Sequence, residues 1–111
     1  MDSSITKSSG NVFADMDMKA PEEALAKAKL AREINLIINR KNLNQTEAAK
    51  LLRTTQPKIS NIMRGKLSSF SIEKLFHYLI LLGNDIEINI KPHDISDQRT
   101  PAIIVHDFAL A

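Results

Sequence analysis

Leu30, Ile34, Ile37 and Ile38 recur at the i, i+4, i+7, i+8 spacing of one helix face, with Leu25 and Ala28 ahead of them. That pattern predicts an amphipathic helix over 21–41. Pro21 suits its first turn, where a missing N–H costs nothing, and Glu22 and Glu23 suit the positive end of its dipole. After Lys41-Asn42-Leu43, Asn44 can cap a second helix while Glu47 reaches back to the cap N–H. The buried side of this helix reads as Ala48, Leu51 and Leu52, Ala49 is small enough to let a neighbouring helix approach, and the helix should stop near Arg53. Thr54 and Thr55 interrupt the pattern. Because Pro57 is tolerated only in a first turn, a third helix is expected with Thr55 as cap, running to Arg64 and closed by Gly65. A fourth has Ser71 as cap, Glu73 in its first turn, Leu75, Phe76, Leu79, Ile80 and Leu82 as apolar content, and Gly83 as its left-handed C-terminal residue.

Beyond Gly83 the period changes. Asp85-Ile86-Glu87-Ile88-Asn89-Ile90-Lys91 alternates polar and apolar, the pattern of a half-buried strand, and Pro92 ends it. A single strand needs a partner. Either a second copy supplies it in a homodimer, the favoured reading, or Ala102-Ile103-Ile104-Val105 returns within the chain across a connection of about ten residues, long for a hairpin. The expected fold is mainly α, with four to five helices and one C-terminal β-strand paired across a dimer. The expected organisation is an N-terminal arm over 1–19, a helical domain over 20–84, and a strand and tail over 85–111. The arm is rich in Ser and Asp, with a small apolar island at Val12, Phe13, Met16 and Met18.

A length of 111 residues, 43 % hydrophobic and 25 % charged, describes one globular domain with tails rather than two domains or a low-complexity chain. The absence of cysteine excludes disulfides, thiol nucleophiles and cysteine-ligated zinc or iron–sulfur centres, and makes a reducing cytoplasm the expected location. No apolar run approaches the roughly 18–20 residues of a membrane span, and the start MDSSITKSSG lacks the apolar core of a secretory signal. With 5 % aromatic residues and no Trp, a stacking platform for single-stranded nucleic acid is poorly supplied.

The net charge of +2 says little until it is divided along the chain. Residues 40–66 hold seven cations, Arg40, Lys41, Lys50, Arg53, Lys58, Arg64 and Lys66, against the single acid Glu47, a net of +6; residues 1–39 carry −1 and residues 67–111 carry −3. A solvated basic face would account for charge alone, but these cations coincide with two short helices joined by about three residues. That arrangement describes a helix-turn-helix, whose second helix enters the DNA major groove. At about 100° per residue, Ile62 and Met63 fall on the side of Ile59, whereas Pro57, Asn61 and Arg64 point away from it.

The segment QTEAAKLLRTTQPKISNIMRG at 45–65 resembles the Cro/repressor-like, or XRE, helix-turn-helix family. Gln45 opens the first motif helix, Ala49 takes the close-approach site, and Ile59 and Ile62 take the inward sites of the recognition helix. Asn11-Val12-Phe13-Ala14-Asp15, Phe70-Ser71 and Leu82-Gly83-Asn84-Asp85-Ile86-Glu87-Ile88 extend the resemblance to short bacterial members, many of them HigA-type antitoxins. Arg53 departs from the pattern, standing where the family most often has glycine in the turn; this predicts a turn that avoids positive φ, with Arg53 free to meet phosphate. The resemblance implies a dimeric repressor of double-stranded DNA, autoregulating a toxin–antitoxin operon, with a HigB-like, mRNA-cleaving ribonuclease as toxin partner. It implies that Gln45 and Gln56 lie at the groove edge and Asn61 deeper, each able to pair with adenine. Lys58, Ser60, Arg64 and Lys66 would contact phosphate, Thr55 would combine capping with a backbone contact, and Pro57 would share the outward face. A protein-interaction module with a merely structural helix-turn-helix, or a phage-type regulator without a toxin, remains open.

Other chemistries find little support. His77, His93 and His106 show no helical ligand spacing for a metal, the glycines at 10, 65 and 83 are isolated, and Ser68-Ser69 lacks a nucleophile elbow. No cofactor and no catalytic activity are expected. Asp85 and Glu87, two apart on the alternating segment, read as solvent-face carboxylates of a strand edge.

Overall fold

The computed structural model describes residues 20–106, so the arm expected over 1–19 lies outside the described residues. Four helices follow in chain order: α1 Ala20–Arg40, α2 Gln45–Leu51, α3 Gln56–Met63 and α4 Ile72–Leu81. Three of them begin as their sequences require. Asn44 accepts from the Glu47 N–H at 2.8 Å while the Glu47 carboxylate accepts from the Asn44 N–H at 2.9 Å, completing a capping box on α2. Thr55 caps α3 and Ser71 caps α4, each through its hydroxyl.

All four helices end in one way. The N–H groups of Leu43, Thr54, Lys66 and Asn84 each reach back five residues, to the carbonyls of Ile38, Ala49, Asn61 and Leu79, at 2.8–3.1 Å. The residue before each donor bonds back three residues, which makes every terminus a Schellman motif. The motif demands positive φ at Asn42, Arg53, Gly65 and Gly83, and each has it, at 57°, 57°, 76° and 99°. Arg53 therefore does not avoid the left-handed region, contrary to the expectation from its side chain. The two bonds satisfy carbonyls that the end of α2 would otherwise orphan, and this offsets the steric cost of a Cβ at that φ. Arg53→Gly is expected to raise the unfolding free energy by about 1 kcal/mol. A urea titration checks this, and an unchanged midpoint would count against strain at Arg53.

Among the described residues the core is one cluster. α1 packs against α4 and α3, and α2 packs against α3. Ala26, Leu30, Ala31, Ile34, Ile37 and Ile38 form the buried stripe of α1, Ala48, Ala49 and Leu52 that of α2, Ile59 and Ile62 that of α3, and Leu75, Tyr78, Leu79 and Leu82 that of α4. Three expected core positions are corrected. Leu25 is 57 % exposed, since nine residues of helix turn it about 180° from Ile34, and Ala26 begins the stripe instead. Leu51 is 40 % exposed because the small residues Ala48 and Ala49 are the ones turned toward the neighbouring helices. Ala28 is exposed as well.

No strand occurs among the described residues. Residues 85–91 keep the alternating sequence, but a strand is a hydrogen-bonded pairing and no backbone hydrogen bond joins these residues to another described segment. The intrachain partner considered above forms no backbone hydrogen bond with them. Ala102, Ile103, Ile104 and Val105 run along the first half of α1, sharing a shallow cleft with Leu25, Ala26 and Lys29. Val105 packs on the core, and Thr100 donates to the Glu22 carboxylate at 3.3 Å. No described helix is long and apolar enough to cross a membrane.

Candidate nucleic-acid interface

α3 is presented by its own buried side. Ile59 and Ile62 are 0 % and 1 % exposed, and Met63 packs partly against the same cluster, so rotation of the helix about its axis would expose apolar surface. The opposite side is thereby turned outward: Gln56, Pro57, Lys58 and Arg64 are exposed, and Ser60 and Asn61 are half-buried. Thr55, at the head of α3, and Lys66, just past its end, are exposed, whereas Gln45 is half-buried. All nine residues singled out from the sequence thus lie on α3, at its two ends, or at the start of α2.

Three side-chain contacts organise this surface. Gln56 Nε2 donates to Gln45 Oε1, tying the first residues of α2 and α3 together across the turn. Gln45 Nε2 donates in turn to the Met63 sulfur at 3.5 Å, so Gln45 bridges both ends of α3. Arg64 Nη2 donates to Asn61 Oδ1 at 3.1 Å, one helical turn away. The amide arithmetic leaves these groups usable. The Gln56 nitrogen carries two hydrogens, one of which goes to Gln45, and its oxygen stays open; the Asn61 oxygen has a second lone pair and its NH₂ stays open.

The sequence reading missed the residues that hold the turn. Tyr78 is 1 % exposed and donates its hydroxyl to Thr54 Oγ1 at 3.3 Å, linking α4 to the loop between α2 and α3. Its ring meets Phe70 edge-on at 6.4 Å between centroids. The signal was a polar-tipped aromatic three residues after Leu75, on the buried face of α4. Met63 was read only as core. Among the described residues no His, Asp and Glu side chains group to hold a metal.

A family model described as a helix-turn-helix domain matches residues 12–91, most of the chain. The chain belongs to this family. A solved structure named as an XRE family transcriptional regulator is 36 % identical, with a TM-score of 0.71 over 78 % of this chain and 98 % of the other. No curated protein matches. The chain is thus a helix-turn-helix, DNA-binding transcriptional regulator of the XRE family, and α2 and α3 are the two helices of its motif. Within the XRE chain the basic segment 40–66 spans the motif, and all seven of its cations are exposed.

Proposed function

We propose that this XRE protein is a repressor that binds a specific duplex operator as a homodimer, and that it is the antitoxin of a type II pair autoregulating its own operon. The observation that carries DNA readout is the locked orientation of α3, with Ile59 and Ile62 inward and Gln56, Asn61 and Arg64 outward in a strongly basic segment. Gln56, oriented by Gln45, reads a base at the groove edge and Asn61 reads one deeper, since a free amide N–H and oxygen match the N7 and N6 groups of adenine. Lys58, Ser60, Arg64, Lys66 and the Thr55 hydroxyl set the register on phosphates, with Pro57 against the backbone. Two copies place their recognition helices in successive major grooves about 34 Å apart. The antitoxin role rests on the resemblance to HigA-type sequences. Its partner is a small HigB-like ribonuclease, bound away from α3.

The test is binding to a duplex from the protein's own upstream region at two or more ionic strengths. Affinity should fall steeply with salt, and Lys58→Ala should lower the log–log slope by about one, weakening all sequences alike. Salt-independent binding, or none, would leave the motif structural. An adjacent reading frame for a small ribonuclease, whose toxicity co-expression of this chain relieves, tests the antitoxin role.

A further inference from the structure

Residues 85–91 carry backbone with no hydrogen-bond partner among the described residues, and exposed isoleucine. Ile86 packs on the edge of the core, but Ile88 and Ile90, at the same parity of the alternation, are 70 % and 90 % exposed. No backbone hydrogen bond ties this segment to other described residues, so its N–H and C=O groups are free to template a strand. We propose that the segment is covered by itself: residues 85–91 of two copies pair as antiparallel strands about a two-fold axis through Ile88. This deepens the homodimer reading above, on which it rests, by naming the surface and its register.

The register follows from pairing rules. Directly opposed residues of an antiparallel pair point to the same face, so only a register centred on a residue keeps isoleucine opposite isoleucine. Centring on Glu87 sets two like carboxylates against each other, which is destabilising. Centring on Asn89 sets Ile86 against Pro92 and leaves it without an isoleucine partner. Centring on Ile88 pairs Ile88 with itself, Ile86 with Ile90, Glu87 with Asn89, and Asp85 with Lys91, a complementary charge pair at both ends of the ribbon. It brings Ile90, the most exposed of the three, beside Ile86 of the other copy at the edge of that copy's core.

Pro92 then decides which pairs exchange hydrogen bonds. It has no N–H to donate, so it must fall at a non-hydrogen-bonded position. Strict alternation along the ladder places Ile88 at a non-hydrogen-bonded position too, where opposed Cα atoms lie about 4.5 Å apart. That spacing is within the range a disulfide spans.

The chain has no cysteine, so a single introduced one can cross-link only to its own copy. Full-length Ile88→Cys, Glu87→Cys and Asn89→Cys are oxidised gently and resolved on a non-reducing gel, alongside sedimentation of the unmodified protein. The expected result is a dimer in sedimentation, with Ile88→Cys cross-linking to itself at least ten-fold faster than the other two. Glu87→Cys mixed with Asn89→Cys should yield the heterodimeric cross-link. Ile90→Asp should sediment as a monomer with an unchanged helical circular dichroism spectrum. A monomeric unmodified protein overturns the two-copy reading itself, as it would if another segment or a protein partner covers the isoleucines. A dimer in which Asn89→Cys or Glu87→Cys self-links fastest, or none of the three links, overturns this pairing alone.

Discussion

Ile59→Ala is expected to lower the unfolding free energy by about 2–5 kcal/mol, the usual cost of emptying a fully buried isoleucine site in a packed core. Ile59 is 0 % exposed and belongs to the single core cluster that joins α1, α2, α3 and α4. Its replacement leaves a void that the short α3 cannot collapse without shifting its outward face. The total for a small domain is only about 5–15 kcal/mol, so this one change removes a large fraction of it. Urea unfolding followed by circular dichroism measures the loss. Ile59→Val should cost only about 0.5–1.5 kcal/mol. A loss below about 1 kcal/mol for the alanine variant would mean that α3 is not anchored by its inward side. Duplex affinity should fall as well, although Ile59 faces away from the outward surface, because the helix it anchors carries the groups proposed above to contact DNA.

The second large effect concerns discrimination. Gln56→Ala should narrow the preference for the operator over a duplex altered at one base pair by about 1–3 kcal/mol, roughly 5- to 150-fold, with little change in salt slope. The reason lies in the amide inventory: after giving one hydrogen to Gln45, Gln56 keeps one N–H and its oxygen, the pair that a base edge needs. Gln45→Ala should act less strongly and through Gln56, by freeing a side chain that must then be ordered on binding. Affinities for operator and altered duplexes, measured at one salt concentration, separate the outcomes. If Gln56→Ala weakens every duplex equally, Gln56 positions the protein and reads nothing.

Much of the helical layout was legible because its determinants are local. Asn44 with Glu47, Thr55 before Pro57, and Ser71 before the last helix each satisfy a donor three residues away, so the start of a helix is written into a handful of neighbouring residues. Gly65 and Gly83 marked two ends for the same reason. Arg53 did not, since an arginine gives no sign of positive φ; the Schellman bonds from Arg53 and Thr54 to Lys50 and Ala49 impose it. The outward face of α3 was likewise readable from its period, whereas the contacts that hold its side chains were not. Gln45 and Gln56 are eleven residues apart, and Thr54 and Tyr78 twenty-four, distances over which no periodic rule operates.

The order of the elements, their caps, the basic middle segment and the polar side of the recognition helix were determined by the sequence alone, since each depends on interactions within about one helical turn or on charge that needs no folding to be counted. The tertiary structure alone decided that Ala26 rather than Leu25 faces inward, that Leu51 is left outside, that Tyr78 pins the turn, and that 102–105 lie along α1 instead of pairing with 85–91. Each of these is a choice between surfaces competing for one neighbour. Burial is a property of the pair in contact, and only the packed helices make the pairs.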